Sequence, residues 1–155
     1  MPNKTRLDLD RFMPYRLSVL TNRVSSAIAR HYSRQFSLSV PEWRVIAVLG
    51  QTPGLSSREV AERTAMDKVQ VSRAVQSLLK ARRLTRIAHA RDGRVAHLSL
   101  SARGQAIYSE VVPLALALEE QFLSVLSPKE RKAFDALLAK LSAGPTIAPF
   151  NKGNL

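Results

Sequence analysis

The sequence predicts a mainly α-helical protein with a small β-hairpin, in the order α-α-α-α-β-β-α-α. Near both ends of the chain, apolar residues recur at steps of three and four, the period of an amphipathic helix. Capping boxes of the form Ser-x-x-Glu occur at three places, and one segment alternates apolar with polar residues after an Asp-Gly turn. The chain has 155 residues, of which 45% are hydrophobic, so we expect a single domain over residues 1–155.

A long first helix is predicted within residues 11–36. We expect its regular part to begin near Pro14, because proline is favoured in the first turn of a helix. The larger apolar residues of this segment share one helical face: Leu17, Leu20, Val24, Ile28 and Tyr32.

Three short helices are predicted next, each beginning after a side chain that can accept a backbone hydrogen bond. Such a cap satisfies an N–H group that has no partner within the helix. The predicted caps and helices are Ser39 before Trp43–Leu49, Ser56 before residues 57–64, and Asp67 before a helix that ends near Ala81.

A two-stranded hairpin is predicted between Leu84 and Leu100, because the alternating residues 95–100 follow the turn signal of residues 91–94. A long apolar helical stripe then runs to Val125, and Pro113 within it predicts a kink or a local break. Ser127 opens a last helix that ends at residues 144–145, and residues 146–155 form a tail.

The charge of the chain predicts a polyanionic partner. Its 24 Lys and Arg residues against 12 Asp and Glu residues give a formal net charge of +12. We favour nucleic acid over an anionic membrane surface, since no basic amphipathic helix with bulky apolar anchors is evident. The absence of cysteine excludes disulfides, thiolate metal sites and thiol redox sensing. With no long apolar span or signal peptide in the sequence, we expect a cytoplasmic protein without membrane contact.

Two short capped helices followed by a hairpin are typical of a winged helix-turn-helix, whose second short helix enters the DNA major groove. On a helical wheel of residues 67–81, four apolar residues form a buried face: Val71, Ala74, Val75 and Leu78. The opposite face and its edges offer groups that read bases or contact phosphates: Lys68, Val69, Gln70, Ser72, Arg73 and Gln76. A solvated polar helix face is the alternative interpretation.

The hairpin region is the most basic part of the chain. Residues 80–103 contain seven Lys and Arg residues and one acid, Asp92. Arg91 and Arg94 flank the turn and are suited to a minor groove, although exposed turn arginines are also common. Four further residues are candidates for contacts with the DNA backbone: Ser56, Ser57, Arg58 and Arg86.

The apolar stripes of the first helix and of residues 107–125 offer more surface than a small reader domain can cover. Residues 108–135 are also more acidic than basic, which disfavours this segment as a DNA face. We therefore expect these helices to pack against a second copy of the chain, with an intrachain core as the alternative.

Several segments together resemble the MarR family of winged helix-turn-helix regulators: Met66–Arg73, Leu78–Leu84, Asp92–Arg94 and Leu98–Gly104. The resemblance implies a dimer built from residues 11–36 and 101–145, with residues 39–100 as the winged helix-turn-helix and a palindromic double-stranded DNA operator. It also implies that Arg94 enters the minor groove and that Asp92 helps to hold the wing. Repression, relieved by a small aromatic acid or a related anion, is the expected outcome.

A mixture of aromatic rings and cations near the first two helices is suited to an aromatic carboxylate or an acyl thioester. The alternative is that Trp43 belongs to the core and that the arginines are ordinary surface residues. The candidate ligand residues are Tyr15, Arg16, Arg23, His31, Trp43 and Arg44.

No catalytic or metal-binding motif is evident. The three histidines do not combine with carboxylates at metal-ligand spacing, and there is no P-loop, nucleophile elbow or dinucleotide fingerprint. We expect no enzyme activity and no cofactor. Two other functions remain open: a winged helix that binds protein, and an architectural DNA binder without sequence preference.

Overall fold

The computed structural model describes residues 7–88 and 96–144, and its order of elements is the predicted one. The mainly helical class with a small hairpin is confirmed. The elements are α1 (Met13–Phe36), α2 (Val40–Gln51), α3 (Ser57–Thr64), α4 (Lys68–Lys80), β1 (Leu84–Ala88), β2 (Ala96–Leu100), α5 (Ala102–Leu123) and α6 (Pro128–Ser142).

The predicted helix caps are all present. In each capping box the glutamate accepts a hydrogen bond from the backbone N–H of the serine, and the serine hydroxyl accepts one from the glutamate N–H. The carboxylate bonds measure 2.7 Å for Ser39–Glu42, 2.7 Å for Ser56–Glu59 and 2.8 Å for Ser127–Glu130, and Asp67 accepts from the Gln70 N–H at 2.8 Å.

Two helices differ from the prediction in extent. α2 begins at Val40, directly after its predicted cap Ser39, and continues to Gln51, two residues beyond the predicted end at Leu49. α5 continues through Pro113 without a break, so of the predicted kink or local break the break is wrong, and the kink stays a prediction. A proline lacks the backbone N–H that would donate one hydrogen bond within the helix, and the regular turns on both sides retain their own backbone hydrogen bonds.

The hairpin is joined to the loop that precedes α3. β1 and β2 pair antiparallel, with Leu84 opposite Leu100 and Ala88 opposite Ala96. The Leu98 N–H donates to the Leu55 carbonyl at 2.8 Å, and the Leu98 carbonyl accepts from the Gly54 N–H at 2.8 Å. The base of the hairpin is therefore held against the start of α3.

Contacts divide the chain into two compact units, Met1–Leu118 and Glu119–Leu155. The core of the first unit joins α2, α3, α4 and the hairpin to parts of α1 and α5. Its largest fully buried side chains are Tyr32, Val45, Ile46, Leu49, Val60, Val71, Leu78, Leu98 and Val111.

An aromatic cluster lies at the edge of this core. The Trp43 ring lies 5.6 Å from Tyr32 and 6.4 Å from Tyr108, measured between ring centroids. Burial raises the pKa of the Tyr32 hydroxyl to about 12, against the opposing effect of Arg44. The cluster joins α1, α2 and α5 within the first unit.

The second unit contains α6, and none of its residues is buried. Arg131 donates to the Leu123 carbonyl at 3.1 Å and pairs with Glu120 at 2.8 Å, which fixes the turn before α6. The exposed large apolar residues of this unit are Phe122, Val125, Phe134, Leu137, Leu138 and Leu141.

In the described parts of the chain, no single helix has the length and hydropathy of a membrane span, and only α5 and α6 taken together meet that test by length and composition.

Candidate nucleic-acid interface

α3 and α4 form a tight helix-turn-helix. α3 ends at Thr64, and Ala65, its C-cap residue, reverses the chain with a φ of 52° in the left-handed region. The Thr64 hydroxyl donates to the Val60 carbonyl at 2.7 Å, and Met66 is buried beneath the turn. Asp67 then caps α4, so the first turn of α4 begins at a defined position.

α4 has one buried and one exposed face, as the sequence predicts. Val71, Ala74, Val75 and Leu78 are buried. The six predicted readers are all exposed, including Val69 at 59%. No hydrogen bond or ion pair joins the side chains of these six to any other residue in the described ranges: Lys68, Val69, Gln70, Ser72, Arg73 and Gln76.

α4 is joined to the start of α2 through the side chain of Glu42. One oxygen of its carboxylate accepts from the Ser39 N–H at 2.7 Å, and the other accepts from the Ser77 hydroxyl at 2.5 Å. The two ends of this connection lie 35 residues apart in the chain. Glu42 thus caps α2 and positions α4 with one side chain.

A cleft of about 350 Å³ lies beside this connection. Ser39, Glu42, Gln70, Arg73 and Ser77 contribute to its lining. Arg73 forms no ion pair with Glu42 or with any other described carboxylate. Its guanidinium therefore remains available for a ligand outside the chain.

The pKa of Glu42 is lower than that of an ordinary glutamate. Partial burial raises this pKa, but hydrogen bonds from Ser39 and Ser77, together with the charge of Arg83, outweigh burial. The carboxylate form is thus the one that the fold stabilises.

We expect Glu42→Gln to reduce the loss of stability in acid. Because the folded pKa lies below the unfolded value of about 4.3, the carboxylate stabilises the fold fully above that pH, and this contribution is lost as the pH falls through the folded pKa. Melting temperatures measured from pH 7 to pH 3 should fall less steeply for Glu42→Gln than for the natural chain. The exposed control Glu119→Gln should show the same fall of melting temperature with pH as the natural chain. If the melting temperatures of all three chains fell equally with pH, this role of Glu42 would be contradicted.

The predicted contacts with the DNA backbone differ in their surroundings. Ser56 is half-buried and its hydroxyl caps α3, whereas Ser57 is exposed. Arg58 is exposed but pairs with Glu62 at 3.0 Å, so DNA would have to compete with a weak surface ion pair. Arg86 is exposed on β1, opposite Leu98 of β2.

The predicted wing residues Arg91, Asp92 and Arg94 lie outside the described residues. β1 ends at Ala88 and β2 begins at Ala96.

The six predicted ligand residues do not form one site. Tyr15, Arg16 and Arg23 line a concavity of about 510 Å³ along α1. His31 is exposed elsewhere on α1, Trp43 packs between two tyrosine rings, and Arg44 is half-buried. Only the first three residues therefore share a surface that a ligand can contact. Within the described ranges, no group of three or more His, Asp or Glu side chains is arranged to hold a metal ion.

Sequence reasoning missed the link between Glu42 and Ser77. The capping box identified Glu42 as a cap, but nothing local indicates that its second oxygen contacts another helix. The aromatic partners of Trp43 were also missed, although an aromatic residue at position 108 on the apolar face of α5 is a signal that sequence reasoning could have used.

Comparison with known proteins agrees with this architecture. The sequence profile of the MarR family matches residues 36–95. The HTH-type transcriptional regulator BilQ of Clostridium symbiosum is 31% identical over 96 residues, which cover 62% of this chain and 67% of BilQ. The chain belongs to the MarR family. Another relative, the HTH-type transcriptional repressor Rv2887 of Mycobacterium tuberculosis, is 28% identical over 85% of this chain and 92% of its own length.

Solved MarR-family structures share the fold. A MarR/EmrR family regulator from Acinetobacter sp. ADP1 superposes with a TM-score of 0.80 at 26% identity, over 88% of this chain and 96% of that one. MepR of S. aureus, solved as a DNA complex, superposes with a TM-score of 0.77 at 19% identity, over 85% of this chain and 96% of that one. PcaV of Streptomyces coelicolor, solved with its natural ligand, superposes with a TM-score of 0.71 at 22% identity, over 89% of this chain and 96% of that one. This MarR-family chain is accordingly a transcriptional regulator and not an enzyme.

Proposed function

We propose that this MarR-family chain is a homodimeric, sequence-specific repressor that binds a palindromic DNA operator. The observation that carries the proposal is the exposed face of α4, whose reader side chains have no partner among the described residues. Arg73 is suited to guanine, Gln70 and Gln76 to adenine, and Val69 to the methyl group of thymine. Repression is favoured by the names of the mycobacterial relatives, and a DNA complex of the same fold is known for MepR.

Electrostatics support the same partner. The net charge of +12 doubles in a dimer, and phosphate contacts by Lys and Arg release condensed counterions from DNA. Lys68, Ser72, Ser57, Arg58 and Arg86 are the proposed phosphate contacts, and Ser56 orients the first turn of α3 beside them. In this proposal Arg91 and Arg94 of the wing enter the minor groove, and Asp92 holds the wing. Because the proposed partner is DNA, we expect the protein to act in the cytoplasm.

The homodimer is supported by the apolar surface that the single chain leaves exposed. α6 buries no residue, although Phe134, Leu137, Leu138 and Leu141 lie close together on its helical surface. A patch of this kind is rarely left in water, and a second copy is the partner that two-fold symmetry supplies. Residues 11–36 and 101–145 are the proposed dimerisation helices, and residues 39–100 the proposed DNA-reading part of one functional domain. Two copies of α4 then require a palindromic site.

We also propose that a small aromatic acid or its acyl thioester releases the operator. Tyr15, Arg16 and Arg23 support this effector, because their shared concavity offers an aromatic ring and two guanidinium groups to an anion. The fold of PcaV, solved with its natural ligand, is similar. His31, Trp43 and Arg44 are not part of this revised surface.

Selection of bound duplexes from a random pool at about 0.15 M salt tests the DNA proposal. We expect a two-fold palindrome that is preferred over unselected DNA by roughly a thousandfold. Arg73→Ala should lose about 1–3 kcal/mol of binding free energy and relax the preference at one base position in each half-site. Gln51→Ala, an exposed change at the end of α2 and outside every proposed contact, is the control and should bind as the natural chain does.

Two outcomes of the selection would contradict the proposal. If no consensus emerged and the affinity depended only on salt, the chain would be an architectural DNA binder. If the affinity for DNA were weak at every salt concentration, a protein partner for the winged helix would replace DNA.

A further inference from the structure

The backbone of Arg83 belongs to the turn that ends α4. Its N–H donates to the Leu78 carbonyl at 2.8 Å, and the Arg82 N–H donates to the Leu79 carbonyl at 3.0 Å. Arg82 has a φ of 55°, in the left-handed region, so these two bonds have the arrangement of a Schellman motif. The carbonyl of Arg83 accepts from the Ser101 N–H at 3.0 Å, directly before α5. The position of Arg83 is therefore fixed relative to α4.

The side chain of Arg83 contacts the end of a different helix. One terminal nitrogen of its guanidinium donates to the carbonyl of Phe36, the last residue of α1, at 2.5 Å. The last carbonyls of a helix have no partner within it and carry partial negative charge, so a guanidinium makes a charge-assisted hydrogen bond there. Arg83 is half-buried, which reduces the screening of this bond by salt. One residue thus joins the ends of α1 and α4.

This bond is the direct polar connection between α1 and α4. Among the described residues, no other hydrogen bond joins α1 to the segment from α4 to β1. α4 packs against α2 and α3, and α1 packs against α2, so apolar contacts connect α1 to α4 mainly through α2. Without Arg83, the placement of α4 relative to α1 would depend on that indirect packing.

The placement of α4 relative to α1 has a consequence in a dimer. α1 is a proposed dimerisation helix and α4 is the proposed DNA-reading helix, so their relative placement sets the distance between the two copies of α4. Half-sites read from one side of a duplex lie about 34–36 Å apart, or multiples of that distance. A fixed α4 matches one spacing of the half-sites, whereas an α4 that moves on α2 matches several.

We infer that Arg83 is a positioning residue for operator recognition, which fixes the separation of the two α4 helices and thereby the half-site spacing that the dimer accepts. The inference rests on the proposed homodimer and its palindromic operator. Arg83 contacts no DNA in this role. Its loss therefore leaves the base preference within each half-site unchanged, because that preference belongs to the exposed face of α4.

Distances between spin labels on the two copies of α4 test the inference without DNA. The chain has no cysteine, so Gln76→Cys introduces a single labelling site on an exposed position of α4. We expect a narrow distance distribution in the homodimer, and a broader one when Arg83→Met is added, since methionine keeps a long side chain without an N–H donor. Arg83→Lys should restore the narrow distribution in large part, because the bond to Phe36 uses one donor nitrogen.

Arg82→Met is the matched control. Arg82 lies in the same turn and is exposed, and its side chain has no hydrogen-bond or ion-pair partner in the ranges that the structure describes. The substitution removes the same charge as Arg83→Met but no bond to α1. We expect the distance distribution of the natural chain, and thermal unfolding shows that each variant is folded.

Duplexes with altered spacing give the second readout. The palindrome selected from the random pool is compared with a version that carries two inserted base pairs at its centre. We expect the natural chain to prefer the original spacing by roughly a hundredfold. Arg83→Met should reduce this ratio by about tenfold, the effect of losing one charge-assisted hydrogen bond. Partial unfolding or a lower net charge weakens binding to both duplexes alike and leaves the ratio unchanged.

Two results would overturn the inference alone. One is a folded Arg83→Met dimer with the narrow distribution and the spacing ratio of the natural chain. The other is equal broadening in Arg82→Met and Arg83→Met, because charge and not the bond to Phe36 would then be responsible. Either result leaves the proposed DNA function intact.

Two further results separate the inference from the proposed function. If Arg83→Met broadened the distribution but no palindrome were selected, the positioning of α4 by Arg83 would stand and the operator proposal would fail. If no distance between labels were detected in the otherwise natural chain, it would not be a dimer, and the inference would fall together with the proposed homodimer.

Discussion

Leu137→Asp is expected to dissociate the proposed homodimer and to lower the affinity for the proposed operator by roughly a hundredfold or more. Leu137 is 61% exposed in the single chain, so the substitution should leave the fold of the protomer intact. In a two-fold dimer the change occurs twice, and each new carboxylate would be buried without a partner. A single protomer then contacts only one half of the operator. Sedimentation measurements and titration of the selected duplex give the two readouts.

Ala139→Asp is the matched control for this prediction. It introduces the same charge into the same helix, but two residues further along an α-helix is a rotation of about 200°, which places it on the other face. We expect this variant to stay dimeric and to bind DNA normally. A Leu137→Asp chain that remained dimeric at micromolar concentration would show that α6 is not part of the interface.

Gly104→Ala should destabilise the chain by about 2–4 kcal/mol, although alanine is the better helix former. Gly104 lies in the first turn of α5, and a Cβ there would lie closer than 3.0 Å to the Arg83 carbonyl oxygen, a distance that real Cβ atoms essentially never show. That carbonyl is fixed by the Ser101 N–H, and the Ser101 hydroxyl donates to the Arg82 carbonyl at 2.7 Å. The added methyl group must therefore displace the turn after α4 or the start of α5.

The direction of the effect distinguishes packing from helix propensity. Propensity alone predicts that Gly104→Ala stabilises by about 1 kcal/mol. Ser109→Ala, at an exposed position of the same helix, measures propensity without a close contact and should be neutral or slightly stabilising. Urea unfolding of the three chains gives the comparison. Stability of Gly104→Ala equal to or above that of the natural chain would refute the close approach.

The sequence predicted the helix-turn-helix well because its signals are local. Each cap bonds to a backbone group three residues away, as Asp67 does with Gln70. The buried face of α4 follows from the helical period alone, and Val71 and Leu78 lie where that period predicts. The role of the exposed face in reading DNA stays a prediction, supported by family membership and by the absence of partners within the described ranges.

The six predicted ligand residues show that the sequence alone does not predict which side chains share one surface. Tyr15 and Arg16 share a surface, but Trp43 packs within an aromatic cluster and His31 lies apart. The predicted ligand residues lie in two helices that follow each other in the sequence. The sequence does not show which face of one helix packs against the other. A ligand site needs convergence of side chains from several elements, and that convergence depends on how the helices pack.

By itself the sequence determined the order of the elements, their caps and the two faces of α4, because hydrogen bonds and periodicity within a few residues decide these features. Only the tertiary structure decided that Glu42 holds Ser77, that Arg83 reaches the Phe36 carbonyl, and that Gly104 must lack a side chain. The residues of the first two pairs lie 35 and 47 positions apart in the chain. They meet because burial of the apolar faces of several helices in one core brings these helices together, and no local pattern encodes which polar groups then become neighbours.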